Sequence, residues 1–488
     1  MQAYYFYGMN VPAVAKCGCY FSINNSNKKP NTFFRMKKII YLFCMILPLA
    51  ATAQQEDSVL LRKLSDEIMW NSPCYEKLRT LTKTIGHRIS GSPEAAQAVQ
   101  WGKSALEAAG ADSVWLQPVE VPLWVRGEEK LSFQWPGSKT FSNVPMVSLG
   151  NTEGTNGEVL EAPVICVENL EAFSKLSIEA VAGKIVFFNY RFRQDIINTF
   201  EGYGDAVKYR WVALNDAAKK NAAGVIIRSV GTNVDDTPHT GSSRYEEGVK
   251  QIPAVAVGNV TADALAEACG KGTVKARLRS QCTMKGAVVS YNVIGEIRGT
   301  EKPDEYIVAG GHLDSWDVGE GAHDDGAGCV QSIEMIRAFK ALGIQPRHSI
   351  RVVLFMNEEN GLKGGQAYAD SAKQRGESHI MAMESDAGGF SPRGIGLKMP
   401  EAQKRIIQNW ASLFLPYGVY DFSQEEGGAD ISPLQKQGVP VAGLIPDSQR
   451  YFELHHSDKD VFEAVNHREL KLGAWTMAAF VYLVDKHF

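Results

Sequence analysis

Apolar residues near the start of the chain recur at helical spacing. Leu60, Leu61, Leu64 and Ile68 lie three or four residues apart, and the segment 56–109 therefore predicts helices. The polar run 85–93 separates two of these helices. Within that run His87 and Arg88 could reach a functional site, but a residue that shapes the turn before a helix is the favoured interpretation.

The pattern changes between residues 119 and 286, where short apolar runs alternate with glycines and turn residues. The runs 162–167, 184–188 and 224–227 have the length and composition of β-strands. The alanine-rich segment 216–223 predicts a short helix just before the third of them. We therefore expect a separate β-rich module in the middle of the chain.

The last 200 residues alternate between the two kinds of element. Strand-like runs at 290–297, 306–309, 349–356 and 380–383 are followed by helical patterns at 326–342, 362–373, 401–414 and 468–486. This alternation predicts an α/β fold with a mostly parallel central sheet and helices on both faces.

Polar clusters follow several of these apolar runs directly. His312 and Asp314 come after the run 306–309, and Asp324 lies ten residues beyond Asp314 among glycines. Glu358 and Glu359 follow the next strand. Ligands of open α/β sheets gather at the carboxyl ends of the strands, and a mixture of imidazole and carboxylate suits zinc. The pattern predicts a metal site, and further ligands downstream would indicate a two-metal hydrolase.

Further clusters occur in the expected order. They read Glu-Ser-Asp-Ala-Gly at 384–388 and His-His-Ser at 455–457. Together with His-x-Asp at 312–314, Gly-x-x-Asp-Asp-Gly at 321–326 and Asn-Glu-Glu-x-Gly at 357–361, the set resembles the M28 family of dizinc peptidases. Within that family it is most similar to the carboxypeptidase Q, or plasma glutamate carboxypeptidase, branch. The resemblance covers nearly the whole chain after residue 53.

The resemblance implies a role for each matching residue. Asp324 would bridge two zinc ions, with His312 and Asp386 completing one site and Glu359 and His456 the other. Glu358 would be the general base for a water held between the two ions. Asp314 would orient the imidazole of His312 without binding metal.

The neighbours of these residues have plainer interpretations. His323 is expected in the wall of the pocket, His455 beside the metal site without binding it, and Asp325 as the cap of the next helix. Asp458 and Asp460 are expected to be solvated, although Asp460 could support His456. The five other histidines after residue 88 are expected at the surface: His239, His348, His379, His467 and His487.

Substrate contacts are less well determined by the pattern. Asp430 could hold a substrate amine or be a solvated loop carboxylate, with equal weight. Tyr451 could donate to the oxyanion, although packing is the favoured role. Arg450 could recognise a substrate carboxylate, although an arginine beside a turn is usually solvated.

The N-terminal residues look like a targeting segment with an extension. Residues 36–53 have a basic start, a short apolar run and a small-residue cleavage pattern, which predicts a signal peptide and an exported protein, periplasmic or secreted. The apolar run is too short for a stable membrane span. Residues 1–35 are expected to be absent from the mature protein.

The resemblance also implies a division into domains. Residues 54–118 and 287–488 would form the peptidase domain, and 119–286 would be an inserted protease-associated module. The module could act as a lid that shapes the substrate site or, equally, as a stabilising or dimer-forming element. A homodimer is therefore left open.

Composition excludes some classes of protein. The formal net charge is −4, and no basic run with interleaved aromatic residues occurs, so nucleic acid is not an expected partner. Loss of the first 53 residues leaves five cysteines, and an odd number cannot pair fully within one chain. A Cys269–Cys282 bridge is the one pairing that the spacing suggests.

The expected function is a zinc-dependent exopeptidase or dipeptidase that acts on short unblocked peptides. The sequence does not decide between an aminopeptidase and a carboxypeptidase. Two other classes remain as alternatives: zinc-dependent glutaminyl cyclisation and a non-catalytic binding protein with the same fold. The His312–Asp314 motif counts against the first, and the presence of all five predicted ligands counts against the second.

Overall fold

The computed structural model describes residues 55–488. The predicted extension 1–35 and signal peptide 36–53 lie outside the described residues. Within the described part, no helix is both long and apolar enough to cross a membrane.

The described chain contains sixteen α-helices and fifteen strands, with short 3-10 and π turns between some of them. The helices are α1 (55–71), α2 (Cys74–Arg79), α3 (Pro93–Ala109), α4 (Leu170–Ser174), α5 (Ile178–Val181), α6 (Thr199–Ala206), α7 (Val212–Lys219), α8 (Asn259–Lys271), α9 (Ala327–Ala341), α10 (Glu358–Gly361), α11 (Lys363–Arg375), α12 (Glu401–Gln408), α13 (Ala411–Phe414), α14 (Ser432–Lys436), α15 (Tyr451–Leu454) and α16 (His467–His487). The strands are β1 (Ser113–Val125), β2 (Glu129–Gln134), β3 (Ser142–Val144), β4 (Val147–Ser148), β5 (Leu160–Val167), β6 (Ile185–Phe188), β7 (Gly224–Arg228), β8 (Ala254–Val257), β9 (Lys275–Ser280), β10 (Thr283–Ile297), β11 (Lys302–His312), β12 (His348–Phe355), β13 (Ser378–Glu384), β14 (Pro392–Lys398) and β15 (Val441–Pro446).

The first sheet has seven strands in the order β1-β10-β12-β11-β13-β15-β14. The four strands β12, β11, β13 and β15 are parallel, whereas β10, β1 and β14 join antiparallel. The sheet is therefore mixed, and the expectation of a mostly parallel sheet holds only for its centre. The difference arises because β1 and β10, far apart in sequence, form a long antiparallel pair at one edge.

Helices cover both faces of this sheet, as the alternation of apolar residues requires. Ile350, Val352 and Leu354 of β12 point to one face and pack in the core that contains residues of α1, α3, α9 and α16. Val353 and Phe355 point to the other face, where they pack against α11 and α14. Buried strands with apolar residues on both faces are typical of parallel sheets in α/β proteins.

The middle of the chain forms a second sheet of eight strands, in the order β3-β2-β9-β5-β6-β7-β8-β4. Its strands β5, β6 and β7 correspond to the three strands expected from the sequence, and α7 precedes β7 as expected. Because β1 and β10 belong to the first sheet, the strands of the second sheet run only from Glu129 to Ser280. The assignment of 119–286 as a protease-associated module stays a prediction.

One face of the second sheet packs against the segment that carries the last predicted metal ligand. Phe188 and Val186 of β6 belong to one apolar cluster with Tyr451, Phe452 and Leu454 of α15. A half-buried ion pair connects the second sheet to the loop after β11, because Arg126 donates to Asp317 in that loop at 2.6 Å and to the carbonyl of Ser148 in β4 at 2.7 Å. The second sheet therefore forms one wall of the cleft above the first sheet.

The expected Cys269–Cys282 bridge is wrong, since all five cysteines of the described part are free. Cys282 is buried and lies 3.1 Å from the hydroxyl of Ser280, whereas Cys269 is in α8. Sequence spacing cannot show that the two thiols lie against different neighbours.

Two histidines expected at the surface are fully buried. The Nδ1 atom of His348 lies 3.0 Å from Asp485, and that of His239 lies 2.7 Å from the carbonyl of His455. Each contact compensates part of the cost of removing the ring from water. His467 and His487 are exposed and His379 is half-buried.

Candidate metal centre and active site

The predicted ligands meet at the carboxyl ends of the parallel strands. His312 is the last residue of β11, Glu358 and Glu359 follow β12, and Asp386 lies two residues after β13. His456 comes from the turn after α15. The backbone approaches closely here: a Cβ atom at Gly311 would lie 2.2 Å from Oδ2 of Asp325, so only glycine fits beside this residue.

Asp324 lies at the centre of the cluster, with one carboxylate oxygen turned to each side. Its Oδ1 is 3.1 Å from Nε2 of His312, which is also 3.3 Å from Oδ1 of Asp386. Its Oδ2 is 3.2 Å from Nε2 of His456, which is 3.0 Å from Oε2 of Glu359. The five side chains thus form two triplets that share one carboxylate.

The donor set fits divalent cations. Three overlapping groups of imidazole and carboxylate ligands have their ligand atoms within 4.8 Å of one another, and besides the five predicted ligands these groups include His455 and Asp325. Oδ2 of Asp324 is buried and faces two imidazole nitrogens, Nε2 of His456 at 3.2 Å and Nε2 of His455 at 3.8 Å. Such a concentration of buried carboxylates is unfavourable unless cations or protons compensate it.

The electrostatics of the cluster lead to the same conclusion. The pKa of Asp324 lies well below its usual value. Burial of the carboxylate acts to raise this pKa, but hydrogen bonds from His312 and His456 outweigh that effect. Burial and the Asp386 carboxylate raise the pKa of Glu358 well above its usual value. A bound cation would relieve the repulsion that Glu358 experiences and favour its ionised form.

Asp314 contacts residues of both ligand triplets, but the atom that contacts His312 is not the expected one. The backbone carbonyl of Asp314, and not its carboxylate, lies 3.0 Å from Nδ1 of His312. The carboxylate instead accepts from the backbone amides of Asn357, Glu358 and Glu359 at 2.6, 3.1 and 3.3 Å. It therefore fixes the turn that presents the predicted base and a predicted ligand.

Two further aspartates hold the segment around Asp324. Asp325 accepts from the backbone amides of Gly328 and His312 at 2.9 and 3.0 Å, which is the helix-capping arrangement expected for it. Asp460 accepts from the backbone amides of His323 and Asp324 at 2.7 and 3.1 Å. Asp460 is buried, so the expectation of a solvated carboxylate is wrong for this residue.

The two histidines next to predicted ligands have different positions. His323 lies beneath the site, stacked on Phe390 at 4.2 Å, and its Nδ1 accepts from the amide of Gly389. It is therefore a packing residue and not part of the cavity wall. His455 stacks on the ring of His456 at 3.5 Å, with its Nε2 3.8 Å from Asp324.

A cavity of about 700 Å³, here called the metal cavity, opens beside this cluster and is lined by Asp324, Glu358, Glu359, Asp386 and His456. Tyr451 lines it as well, and its ring stacks on Phe200 at 5.4 Å. Asp430 is buried behind the wall: its backbone amide faces Glu384, and both carboxylate oxygens lack a partner among residues 55–488. The structure thus brings Tyr451 to the cavity but leaves Asp430 outside its lining.

Several residues of the cavity wall come from α6 and the 3-10 turn after it, which lie between β6 and β7 of the second sheet, and no sequence pattern indicated them. Phe200, Tyr203 and Arg210 line the cavity beside the predicted ligands. Nη1 of Arg210 donates to the hydroxyl of Tyr203 at 3.1 Å and lies 3.2 Å from Nδ1 of His456. Arg210 is 1 % exposed, a degree of burial that is rare for arginine and that only the structure reveals.

Arg88, expected to shape a turn, supports the site from below. Its buried guanidinium donates to the backbone carbonyls of Leu313, Glu320 and Gly321 at 2.6, 2.7 and 2.9 Å. These three carbonyls lie in the loop between His312 and Asp324. Arg88 therefore holds the spacing of two predicted ligands.

We expect Arg88→Met to lower the free energy of unfolding by about 3 kcal/mol, because buried carbonyls lose their donors. Urea denaturation of both proteins measures the difference. The control is Arg62→Met, which removes the same charge from a side chain that is 70% exposed. Equal losses in the two variants would contradict the structural role of Arg88.

Comparison with known proteins gives the same picture. The family model for peptidase family M28 matches residues 292–481. Carboxypeptidase Q of Bos taurus is 32% identical over 411 residues, which covers 84% of this chain and 84% of that protein. A crystal structure of a peptidase M28 precursor from Shewanella amazonensis is 33% identical, with a TM-score of 0.82 over 88% of this chain and 97% of that one.

A zinc aminopeptidase from Bacillus subtilis has the same fold, with a TM-score of 0.60 at 20% identity over 84% of this chain and 93% of that one. The similarity to the carboxypeptidase Q relative and to the Shewanella protein covers more than four fifths of this chain in each case. The ordered motifs and the cluster around Asp324 lie within or beside the matched segment 292–481. On this similarity, the chain belongs to peptidase family M28 and is a metallopeptidase.

Proposed function

We propose that the protein is a zinc-dependent exopeptidase that hydrolyses short unblocked peptides. The observation that carries this proposal is the shared carboxylate of Asp324, which presents one oxygen to His312 and the other to His456. This arrangement suits two cations at a separation that a single carboxylate can bridge. His312 and Asp386 would hold one zinc ion, and Glu359 and His456 the other.

Two zinc ions bound here would supply Lewis acidity toward the peptide carbonyl and toward a water molecule. The side chains of this chain supply the rest of the chemistry. Glu358 lines the metal cavity next to the ligands without belonging to either triplet. It would take the proton of the attacking water and return it to the leaving amine.

Other groups would position the substrate. The hydroxyl of Tyr451 is a candidate donor to the developing oxyanion, because its ring lines the same cavity. The carboxylate of Asp314 holds the backbone of Glu358 and Glu359 in place. Asp430 would act on the substrate amine only through a rearrangement of the wall, so its assignment is the less supported of the two.

The non-catalytic alternative has little support from the geometry, since the five predicted ligands are together and Glu358 faces the cavity. Glutaminyl cyclisation remains a second candidate function, and only the similarity of fold supports it.

We further propose, from residues 36–53, that the protein is exported.

We expect the purified protein to contain about two zinc ions per chain, in line with the two triplets. Chelation should abolish hydrolysis of a free dipeptide, and added zinc should restore it. Dipeptides blocked at the amino or the carboxyl end are the matched controls. A stable protein that holds no zinc, or that turns over dipeptides after complete chelation, would refute the proposal.

A further inference from the structure

Helix α8 covers one face of the second sheet. Ala262, Leu265 and Cys269 follow one another at intervals of three and four residues, so they lie on the same side of the helix. Ala262 and Leu265 are fully buried in one apolar cluster, and Cys269 packs against the same cluster. The side of α8 that carries Cys269 therefore faces the sheet.

Strand β5 presents a second cysteine to this helix. Neighbouring residues of a strand point to opposite faces of the sheet. Ile165 packs against the cluster that contains Phe188, whereas Val164 and Cys166 pack against the cluster that contains Leu265 of α8. Cys166 therefore enters the interface between β5 and α8 from the strand, opposite the cysteine of the helix.

The two thiols contact each other in this interface. A hydrogen bond between them lowers the pKa of Cys166, and the same hydrogen bond together with burial raises the pKa of Cys269. Both are free thiols on half-buried residues, so a small solute can reach them. The reactive form of a cysteine is the thiolate, which makes Cys166 the more reactive member of the pair.

The other three of the five cysteines among residues 55–488 are placed differently. Cys329 donates to the backbone carbonyl of His312 at 3.0 Å, and Cys282 lies 3.1 Å from the hydroxyl of Ser280. Cys74 is fully buried in an apolar cluster beneath the first sheet's helices. Only the pair between β5 and α8 therefore combines contact between two thiols with access from solvent in this part of the chain.

We propose that Cys166 and Cys269 form a disulfide bond when the folded protein meets a small-molecule disulfide such as oxidised glutathione. The thiolate of Cys166 attacks one sulfur of the oxidant, which forms a mixed disulfide and releases one thiol. The thiolate of Cys269 then attacks the sulfur of Cys166, and the second thiol leaves. The oxidant gains the two electrons, and the protons of the two cysteines end on the two released thiols.

The bond ties α8 to β5 and closes a loop of about 100 residues, which stabilises the fold by restricting the unfolded chain. Disulfides persist in oxidising compartments, where the proposed export would bring the protein. Neither cysteine is among the residues of 55–488 that line the metal cavity. The inference is therefore independent of the proposed peptidase function, and its test needs no substrate.

The test incubates the folded protein with oxidised glutathione, alkylates the remaining thiols and identifies cross-linked peptides by mass spectrometry. We expect a peptide that joins Cys166 to Cys269 and has lost two hydrogen atoms relative to the reduced pair. Cys166→Ala and Cys269→Ala should each abolish it. Cys282→Ala is the matched control and should retain it, because this thiol lies against Ser280.

Urea denaturation gives a second measurement. Oxidation should raise the unfolding midpoint of the wild type by about 0.5 M and leave that of Cys166→Ala unchanged. Three outcomes would overturn the inference: recovery of both cysteines alkylated or carrying glutathione, a bond from either of them to Cys282, or a wild-type midpoint that oxidation does not raise.

Discussion

Glu358→Gln is expected to lower kcat for peptide hydrolysis by about 10³-fold while the protein keeps its zinc. The amide is close to the carboxylate in size but cannot accept the proton of the attacking water. Glu358 lines the metal cavity and belongs to neither of the two ligand triplets around Asp324. Metal content and unfolding should therefore change little, and the loss should appear in kcat.

Steady-state kinetics with a free dipeptide and metal analysis of the same samples measure both effects. Glu401→Gln is a matched control, because it makes the same change in α12 at a side chain that is 64% exposed. Dipeptide turnover by that control should remain within about 3-fold of the wild type, since no proton transfer is lost. Turnover by Glu358→Gln near the wild-type rate would remove Glu358 as the base.

Asp324→Asn is expected to reduce both zinc content and activity, the latter by about 10³-fold or more. The substitution replaces a charged carboxylate, which can bind one cation through each oxygen, with an amide that has only one oxygen. Both triplets lose their shared ligand, so we expect less than one zinc ion per chain after dialysis. The repulsion among the remaining carboxylates would also decrease, and the variant should fold.

Zinc affinity, measured by competition with a chromophoric chelator, gives the magnitude of the effect. Asp458→Asn removes a charge from the exposed side chain two residues after His456 and should bind zinc as the wild type does. Two tightly held zinc ions in Asp324→Asn would contradict the bridging role. Loss of zinc in both variants would indicate a general effect of charge and not of the bridge.

The strand ends and their polar residues could be predicted from local sequence. Apolar runs followed by His312, Glu358 and Asp386 place chemistry at one edge of a sheet, because the carboxyl ends of parallel strands face the same way. The structure has these residues there. The helices that cover the sheet could be predicted for the same reason, since their apolar spacing is a local property.

The edge of the first sheet could not be predicted in this way. β1 and β10 lie more than 150 residues apart, and nothing in either segment specifies the other as its antiparallel partner. The same limit applies to Asp460 and Arg88. A carboxylate or a guanidinium in a polar loop resembles a solvated residue until the fold brings backbone groups to it.

The amino-acid sequence by itself determined the ordered motifs and the alternating elements, which are set by residue type and short spacing. The five predicted ligands and the base followed from the resemblance of those motifs to the M28 family, and their roles stay predictions. Only the tertiary structure decided which oxygen of Asp324 faces which histidine, that Asp314 acts through both its carbonyl and its carboxylate, and that Phe200 and Arg210 reach the cavity from the segment between β6 and β7. These facts depend on contacts between segments up to about 250 residues apart, which form only when the apolar faces of both sheets are buried.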